Sequence, residues 1–305
     1  MMDMQMTMQQ LMDQQKPFSF TPNENPLMQE YIRFYGLDFP QVEHLYGYIP
    51  CCNEQIFLQS FRPVESRGTV LLLHGYLEHA GVLKHVIFFL LEHSYQVITF
   101  DWQGHGLSSG ERASVSQFAE YLCVFEQIYK EIIPSLTDSR IHVIAHSTGG
   151  AVALDYMLNH SSDFDRVVLL APLVRSYMWH ASKIGFYLGH RWIKEVQRVN
   201  RHTHEEYANF IQMDPLQNDK VPLTWVQALF DWYKEVQSAT PSNRELLIIQ
   251  GNQDKTVDWK YNIRFFQEKF PESRIEIVKG GGHQLFNDTQ STIEQTLDFI
   301  HDYLK

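Results

Sequence analysis

The sequence predicts an α/β chain: a mostly parallel, open central sheet with helices on both faces and one inserted helical cap. Three observations predict it. Short apolar runs rich in β-branched residues recur at 69–73, 96–100, 141–145 and 167–170, the signature of strands buried on both faces. Helical periodicity separates the first three of these runs, and strand–helix alternation builds a parallel sheet. Between 174 and 243 the alternation stops, and it resumes with runs at 245–250 and 274–278. The interruption reads as a cap inserted into a core made of 27–173 and 244–305.

The elements follow in order. Residues 1–26 form a Met/Gln-rich arm, either helical or disordered. A short amphipathic helix is expected at 27–36. Runs at 46–49 and 55–61, separated by Pro50-Cys51-Cys52-Asn53-Glu54, predict an antiparallel hairpin. Strand 69–73 leads to a helix over 82–93 and then to strand 96–100. Ser116 is placed to cap a long helix that Pro134 would stop. The strand at 141–145 runs into a helix over 151–158. Inside the cap, helical patterns occupy 176–199 and 222–237, with no clear strand. Helices at 259–269 and 290–304 complete the core.

Composition narrows the function classes. At 305 residues the chain fills one large or two ordinary domains and buries about 75% of its unfolded surface. A formal net charge of −11 excludes the basic face that nucleic acid demands. No run approaches the length of a membrane span, and the N-terminus lacks the basic start of a secretory leader. A cytoplasmic protein is expected. Cys51 and Cys52 are adjacent and Cys123 is alone, so reduced thiols are expected rather than a disulfide framework. No metal or cofactor is expected, because His202 and His204 beside Glu205 and Glu206 read better as a solvated turn.

The chemistry begins at 140–158, RIHVIAHSTGGAVALDYML. An abrupt strand-to-helix turn leaves no room for side chains, and Ala145, Gly149 and Gly150 supply the space. The turn projects Ser147 from the top of the sheet, as in the nucleophile elbow G-x-S-x-G with alanine at the first position. Such an elbow requires an acid and then a histidine, in that order, at later strand ends. Asp254 lies just past strand 245–250. Its competitor Asp258 directly precedes a helix and reads as an N-cap. His283 follows three glycines after strand 274–278. A second oxyanion N–H is expected from Tyr76, in the His74-Gly75-Tyr76 turn after strand 69–73, to join that of Thr148. Four separate loops thus agree on one site, which no single motif could establish. His105, flanked by glycines, reads as part of a tight loop pinned by Asp101 and Arg112, not as a proton relay.

The segments HGYLEHAG, FDWQGHGLSSGERA, IAHSTGGA, IIQGNQDKTVD and GGGHQLFND resemble the serine-hydrolase branch of the α/β-hydrolases. Within that branch the chain is most similar to the monoacylglycerol lipase and lysophospholipase group of the serine aminopeptidase S33 set, over about residues 45–305. The resemblance implies a lidded hydrolase with Ser147, Asp254 and His283 as its triad and no cofactor. It implies a small-molecule ester or lipid as substrate, cleaved through an acyl-enzyme. Tyr76 is larger than the residue usual at that position. In the cap, Trp179, Phe186, Trp225 and Trp232 are expected to line an acyl pocket, and the cap is expected to touch membrane surfaces transiently. The alternatives are a small-ester esterase or thioesterase, an S33-type aminopeptidase, and a binding protein on a hydrolase scaffold. Head group, acyl length and oligomeric state are left open.

Overall fold

The computed structural model describes residues 4–22, 24–160, 164–198 and 204–305. Its eight-stranded sheet has the order β1-β2-β4-β3-β5-β6-β9-β10. Strands β1 (Val42–Cys51) and β2 (Glu54–Pro63) form the antiparallel edge. Strands β3 (Gly68–Leu73), β4 (Tyr95–Phe100), β5 (Ile141–His146), β6 (Val167–Leu170), β9 (Leu247–Gly251) and β10 (Arg274–Val278) are mutually parallel. Every residue of β3, β4 and β6 is buried, which explains their unbroken apolar runs.

The hairpin turn is two residues long. Cys52 and Asn53 both take positive φ, 49° and 69°, the turn geometry that follows strand twist. Cys52 is bonded to Cys123, which corrects the expectation of three reduced thiols. Residues 71 apart in sequence meet because the hairpin folds back onto the helix that carries Cys123. Adjacency with Cys51 was no obstacle, since successive strand residues point to opposite faces and Cys51 is buried as a free thiol.

Two apolar layers cover the sheet. On one face, α4 (Ala119–Gln127) and α6 (Thr148–Asn159) pack through Tyr121, Phe125, Leu154 and Tyr156. On the other lie α1 (Met4–Gln14), α2 (Pro26–Tyr35), α3 (Lys84–Glu92) and α11 (Gln290–Leu304). The arm is therefore a packed helix: Met8 and Leu11 are buried with Met28 and Tyr31. Pro134 does not end the helix that Ser116 precedes. A π-turn at Ile128–Ile132 carries α4 into α5 (Ile133–Leu136), where proline occupies an early position that needs no N–H donor.

The cap comprises α7 (Trp179–Gly189), β7 (Glu195–Gln197), α8 (Glu205–Met213), β8 (Lys220–Pro222) and α9 (Leu223–Ser238). The antiparallel β7–β8 pair and α8 were not expected. Both strands are three residues long, too short to show a period, and α8 buries only Tyr207 and Ile211. Helix α10 (Trp259–Lys269) starts where expected, with the Asp258 side chain accepting from Tyr261 N–H.

Candidate active site

Ser147 stands between β5 and α6 with φ 51° and ψ −110°. A non-glycine residue here is strained by roughly 1–3 kcal/mol, and the surroundings hold it there. Its N–H donates to the Leu170 carbonyl at 2.9 Å, and its own carbonyl accepts from Leu173 and Ala151, each at 3.0 Å. The glycines are sterically required. A Cβ on Gly149 would lie 2.8 Å from the His74 carbonyl oxygen, and one on Gly150 would lie 3.0 Å from Pro172 Cβ.

Two loop ends meet beside this elbow. Gly251, the last residue of β9, packs so closely on the glycine loop that a Cβ there would fall 2.2 Å from the Gly282 carbonyl oxygen. Gln253 N–H donates to the Gly281 carbonyl at 2.9 Å. This backbone contact sets Asp254 beside His283. His283 Nδ1–H donates to Asp254 Oδ2 at 2.8 Å, and His283 Nε2 lies 3.0 Å from Ser147 Oγ, placed to accept its proton. All three residues are buried, Ser147 with 6% of its surface exposed. Burial alone would raise the Asp254 carboxyl. The neighbouring imidazole and the Val257 and Thr256 N–H groups outweigh it and hold the carboxyl below its usual value.

The loop 74–79 supports the elbow from the β3 side. A Cβ on Gly75 would sit 3.0 Å from Ser147 Cβ, so only glycine allows this approach. Tyr76 follows, and its ring is held away by other partners. It stacks on Trp225 at 3.7 Å, and its hydroxyl donates to the Ala113 carbonyl at 2.6 Å. Thr148 opens α6, where the first N–H groups have no helical acceptor.

Behind the triad lies a pair that the sequence reading passed over. Glu78 Oε2 accepts from Gly75 N–H at 2.8 Å and from His146 Nδ1 at 2.9 Å, and its other oxygen accepts from Gln284. His146 Nε2 faces the His283 carbonyl at 3.0 Å. A carbonyl and a carboxylate are both acceptors, so both ring nitrogens donate and His146 is an imidazolium. Burial opposes charge on both residues. Each partner's charge, with the hydrogen bonds, overcomes it: Glu78 falls well below the usual carboxylate range and His146 rises. The pair ties the backbone of His283 to the Gly75 turn. Its only sequence signal was that Glu78 and His146 each sit within three residues of a motif position.

Farther out, His79 Nε2–H donates to Asp214 Oδ2 at 2.8 Å, and Tyr35 donates to Oδ1 at 2.6 Å. These bonds fasten the cap behind α8 to the core. His105 donates through Nδ1 to the Gln103 carbonyl, and burial pushes its pKa down to about 4, so it is a neutral loop residue. Asp101 accepts from Ala80 and Leu107 N–H, and Arg112 donates to the Gly106 and Ser108 carbonyls, pinning that loop as expected.

An apolar cavity of about 430 Å³ lies within the cap, lined by Phe186, Ile193, Val221, Trp225, Leu229 and Phe230 among others. Of the four aromatic residues expected there, Phe186 and Trp225 line it. Trp179 does not; it packs edge-on against Phe230 and Tyr233. Trp232 also does not; it stacks on Phe118 and donates through Nε1 to Asp155 at 3.0 Å, anchoring α9 to the core. Among the described residues there is no cluster of potential metal ligands. His202 lies outside the described residues.

The profile of the family described as "Serine aminopeptidase, S33" matches residues 64–290. The chain is 22% identical over 263 residues to a monoglyceride lipase homolog of monkeypox virus, covering 83% of this chain and 95% of that one. It is 20% identical over 264 residues to a probable lysophospholipase L2 of Haemophilus influenzae, covering 78% and 84%. Its fold superposes on a soluble variant of the monoglyceride lipase of Saccharomyces cerevisiae, solved with a substrate analog, with a TM-score of 0.76 at 16% identity. That likeness covers 88% of this chain and 95% of the other.

Proposed function

The chain belongs to the serine aminopeptidase S33 family, and from that membership and its site geometry we propose a serine hydrolase that cleaves carboxylic esters of lipid-like substrates. The observation that carries the reading is one continuous hydrogen-bonded line, Ser147 Oγ to His283 Nε2 and His283 Nδ1 to Asp254; the apolar cavity in the cap is linked to it through Trp225, which stacks on Tyr76. In this reading His283 Nε2 takes the Ser147 proton as Oγ attacks the acyl carbonyl. Asp254 keeps the imidazole in the accepting tautomer and stabilises its charged form. The N–H groups of Tyr76 and Thr148 hold the tetrahedral oxyanion, each lowering the barrier by about 3 kcal/mol. His283 then gives the proton to the leaving alcohol. Water, deprotonated by the same nitrogen, releases the acid from Ser147.

The cavity favours an acyl chain over a peptide. No acidic side chain lines it, so it offers nothing to the free amine of an aminopeptidase substrate, whereas each buried methylene contributes about 0.8 kcal/mol. No helix among the described residues is long and apolar enough to cross a membrane. The cap instead exposes Ile184, Leu188 and Trp192, the last 81% exposed. We assign this face to transient contact with the lipid surface that presents the substrate. The cytoplasm is the location we propose. The bonded Cys52 and Cys123 are more typical of an oxidising compartment, and fractionation of cells that make the protein decides between the two.

A graded series of p-nitrophenyl esters beside a panel of aminoacyl amides tests the reading. We expect kcat/KM to rise from acetyl through at least hexanoyl, with amides turned over poorly. A preference for acetyl would leave a small-ester hydrolase, and strong amide turnover would make the chain a peptidase.

A further inference from the structure

The stem at 172–177 leads from β6 into the cap and touches two parts of the site on the way. Near its start, Leu173 N–H donates to the Ser147 carbonyl at 3.0 Å. At its far end, Tyr177 N–H donates to the Thr256 carbonyl at 2.8 Å, and Ser176 pairs with Val257 in an antiparallel bridge. Thr256 and Val257 are the residues whose N–H groups hold Asp254 Oδ1, at 2.7 and 3.0 Å. The stem thus joins the backbone of the nucleophile to the loop that fixes the acid.

The middle of the stem is held by one side chain. Asn262 lies in α10 and is 1% exposed. A buried carboxamide is unfavourable unless its polar atoms are paired, and here both ends are. Asn262 Oδ1 accepts from Arg175 N–H at 2.9 Å. Its Nδ2 donates to the Arg175 carbonyl at 3.2 Å and to the Pro172 carbonyl at 3.1 Å. The side chain therefore engages both the N–H and the carbonyl of Arg175, as a paired residue of a neighbouring antiparallel strand would. Asp258, four residues earlier on the same helix face, adds its backbone N–H, which donates to the Arg175 carbonyl at 2.9 Å. That bond does not depend on the side chain at 258, whereas every bond from Asn262 to the stem listed above does depend on its carboxamide.

We propose that Asn262 is a positioning residue for the reaction: by clamping the stem it holds the acid loop in register with the Ser147 elbow and so keeps Asp254 against His283. It acts through the stem and the loop and touches none of the triad side chains. A carboxylate shifted from its place weakens its bond to His283 without altering the substrate cavity, so the loss falls on kcat rather than on KM. The inference rests on the ester-hydrolase reading and adds to it a residue outside the elbow, acid and histidine segments.

The test uses Asn262→Ala in the full chain, with Asp258→Ala as a control that weakens the same helix from its cap. Asn262→Ala should lower kcat for p-nitrophenyl butyrate about tenfold and leave KM within about twofold of wild type. Asp258→Ala should leave both near wild type. The downfield proton NMR resonance of His283 Nδ1–H, identified by its loss in Asp254→Asn, should broaden or vanish in Asn262→Ala and persist in Asp258→Ala. A purely structural role for Asn262 would not move that signal. In the wild type, the amides of Arg175, Tyr177, Thr256 and Val257 should exchange hydrogen with one common protection, because stem and loop open as a unit. This last measurement stands even if Asn262→Ala fails to fold. An unchanged kcat or an intact resonance in Asn262→Ala overturns the assignment and leaves the hydrolase reading standing. Thr256 and Val257 amides that exchange independently of those of Arg175 and Tyr177 overturn it too. If the wild type turns over no ester and Ser147 takes no fluorophosphonate label, the hydrolase reading fails, and with it any role of Asn262 in that reaction.

Discussion

Asp254 and Asp258 are four residues apart and do different work. Asp254 Oδ2 accepts from His283, while Asp258 caps α10. Asp254→Asn should lower kcat by orders of magnitude with little effect on the fold, as expected for a member of a triad acting as a unit. Asp258→Ala should cost about 1 kcal/mol of stability and leave kcat near wild type. Thermal melts and ester kinetics on the two variants separate the roles, and the reverse pattern would exchange them. Sequence pattern places one acid past a strand end and the other before a helix start, and the structure sets the first against His283 and the second at the start of α10. Pattern did not reveal Glu78 or His146 as partners, because their bond joins two loops 68 residues apart and no local pattern encodes such a meeting.

The Glu78–His146 pair carries a pH prediction. The carboxyl is depressed from 4.5, so its contribution is present above that pH and is lost as pH falls through the folded value. The imidazole is raised from 6.5, so its contribution is complete below that pH and is lost as pH rises through the folded value. Both are present between 4.5 and 6.5. Removing one partner of a buried pair costs about 3–5 kcal/mol. The gap in melting temperature between wild type and Glu78→Gln should therefore be widest in that window and narrow above it. A gap that keeps widening into alkaline pH would show that His146 is not charged in the fold.

At the scale of elements, the parallel strands and their helices were legible because burial on both faces writes itself as apolar runs. The cap was legible as an interruption but not in its parts. Trp179 and Trp232 show why: an aromatic residue on an apolar stripe packs equally well against a cavity or a neighbouring helix, and only tertiary contact decides. The same holds for the cysteines, since adjacency in sequence says nothing about where a hairpin tip lands. The Cys52–Cys123 bond joins the β1–β2 turn to α4, whose flanking Phe118 supports Trp225 and Trp232 of the cap. Closing a loop of 71 residues constrains the unfolded chain by about 4 kcal/mol. Cys52→Ser with Cys123→Ser should lower the melting temperature while leaving Ser147 reactive. An unchanged melting temperature would mean that the bond does not stabilise the fold.

At the scale of the whole molecule, the sheet brings three strand ends, those of β5, β9 and β10, together, and the inserted segment meets the neighbouring β3 end through Trp225. Trp225 couples the two layers, stacking on Tyr76 while lining the apolar cavity. Trp225→Ser should therefore flatten the dependence of kcat/KM on acyl length while retaining acetyl-ester turnover. A chain-length profile that keeps its slope would move the acyl site out of the cap. The central claim, that Ser147 is the nucleophile of this arrangement, is tested most directly by a fluorophosphonate probe with peptide mapping of the adduct. Wild type should carry one label, on Ser147. Ser147→Ala should carry none and should lose ester turnover by orders of magnitude at an unaltered melting temperature. A label on any other residue, or full turnover in Ser147→Ala, would contradict the account.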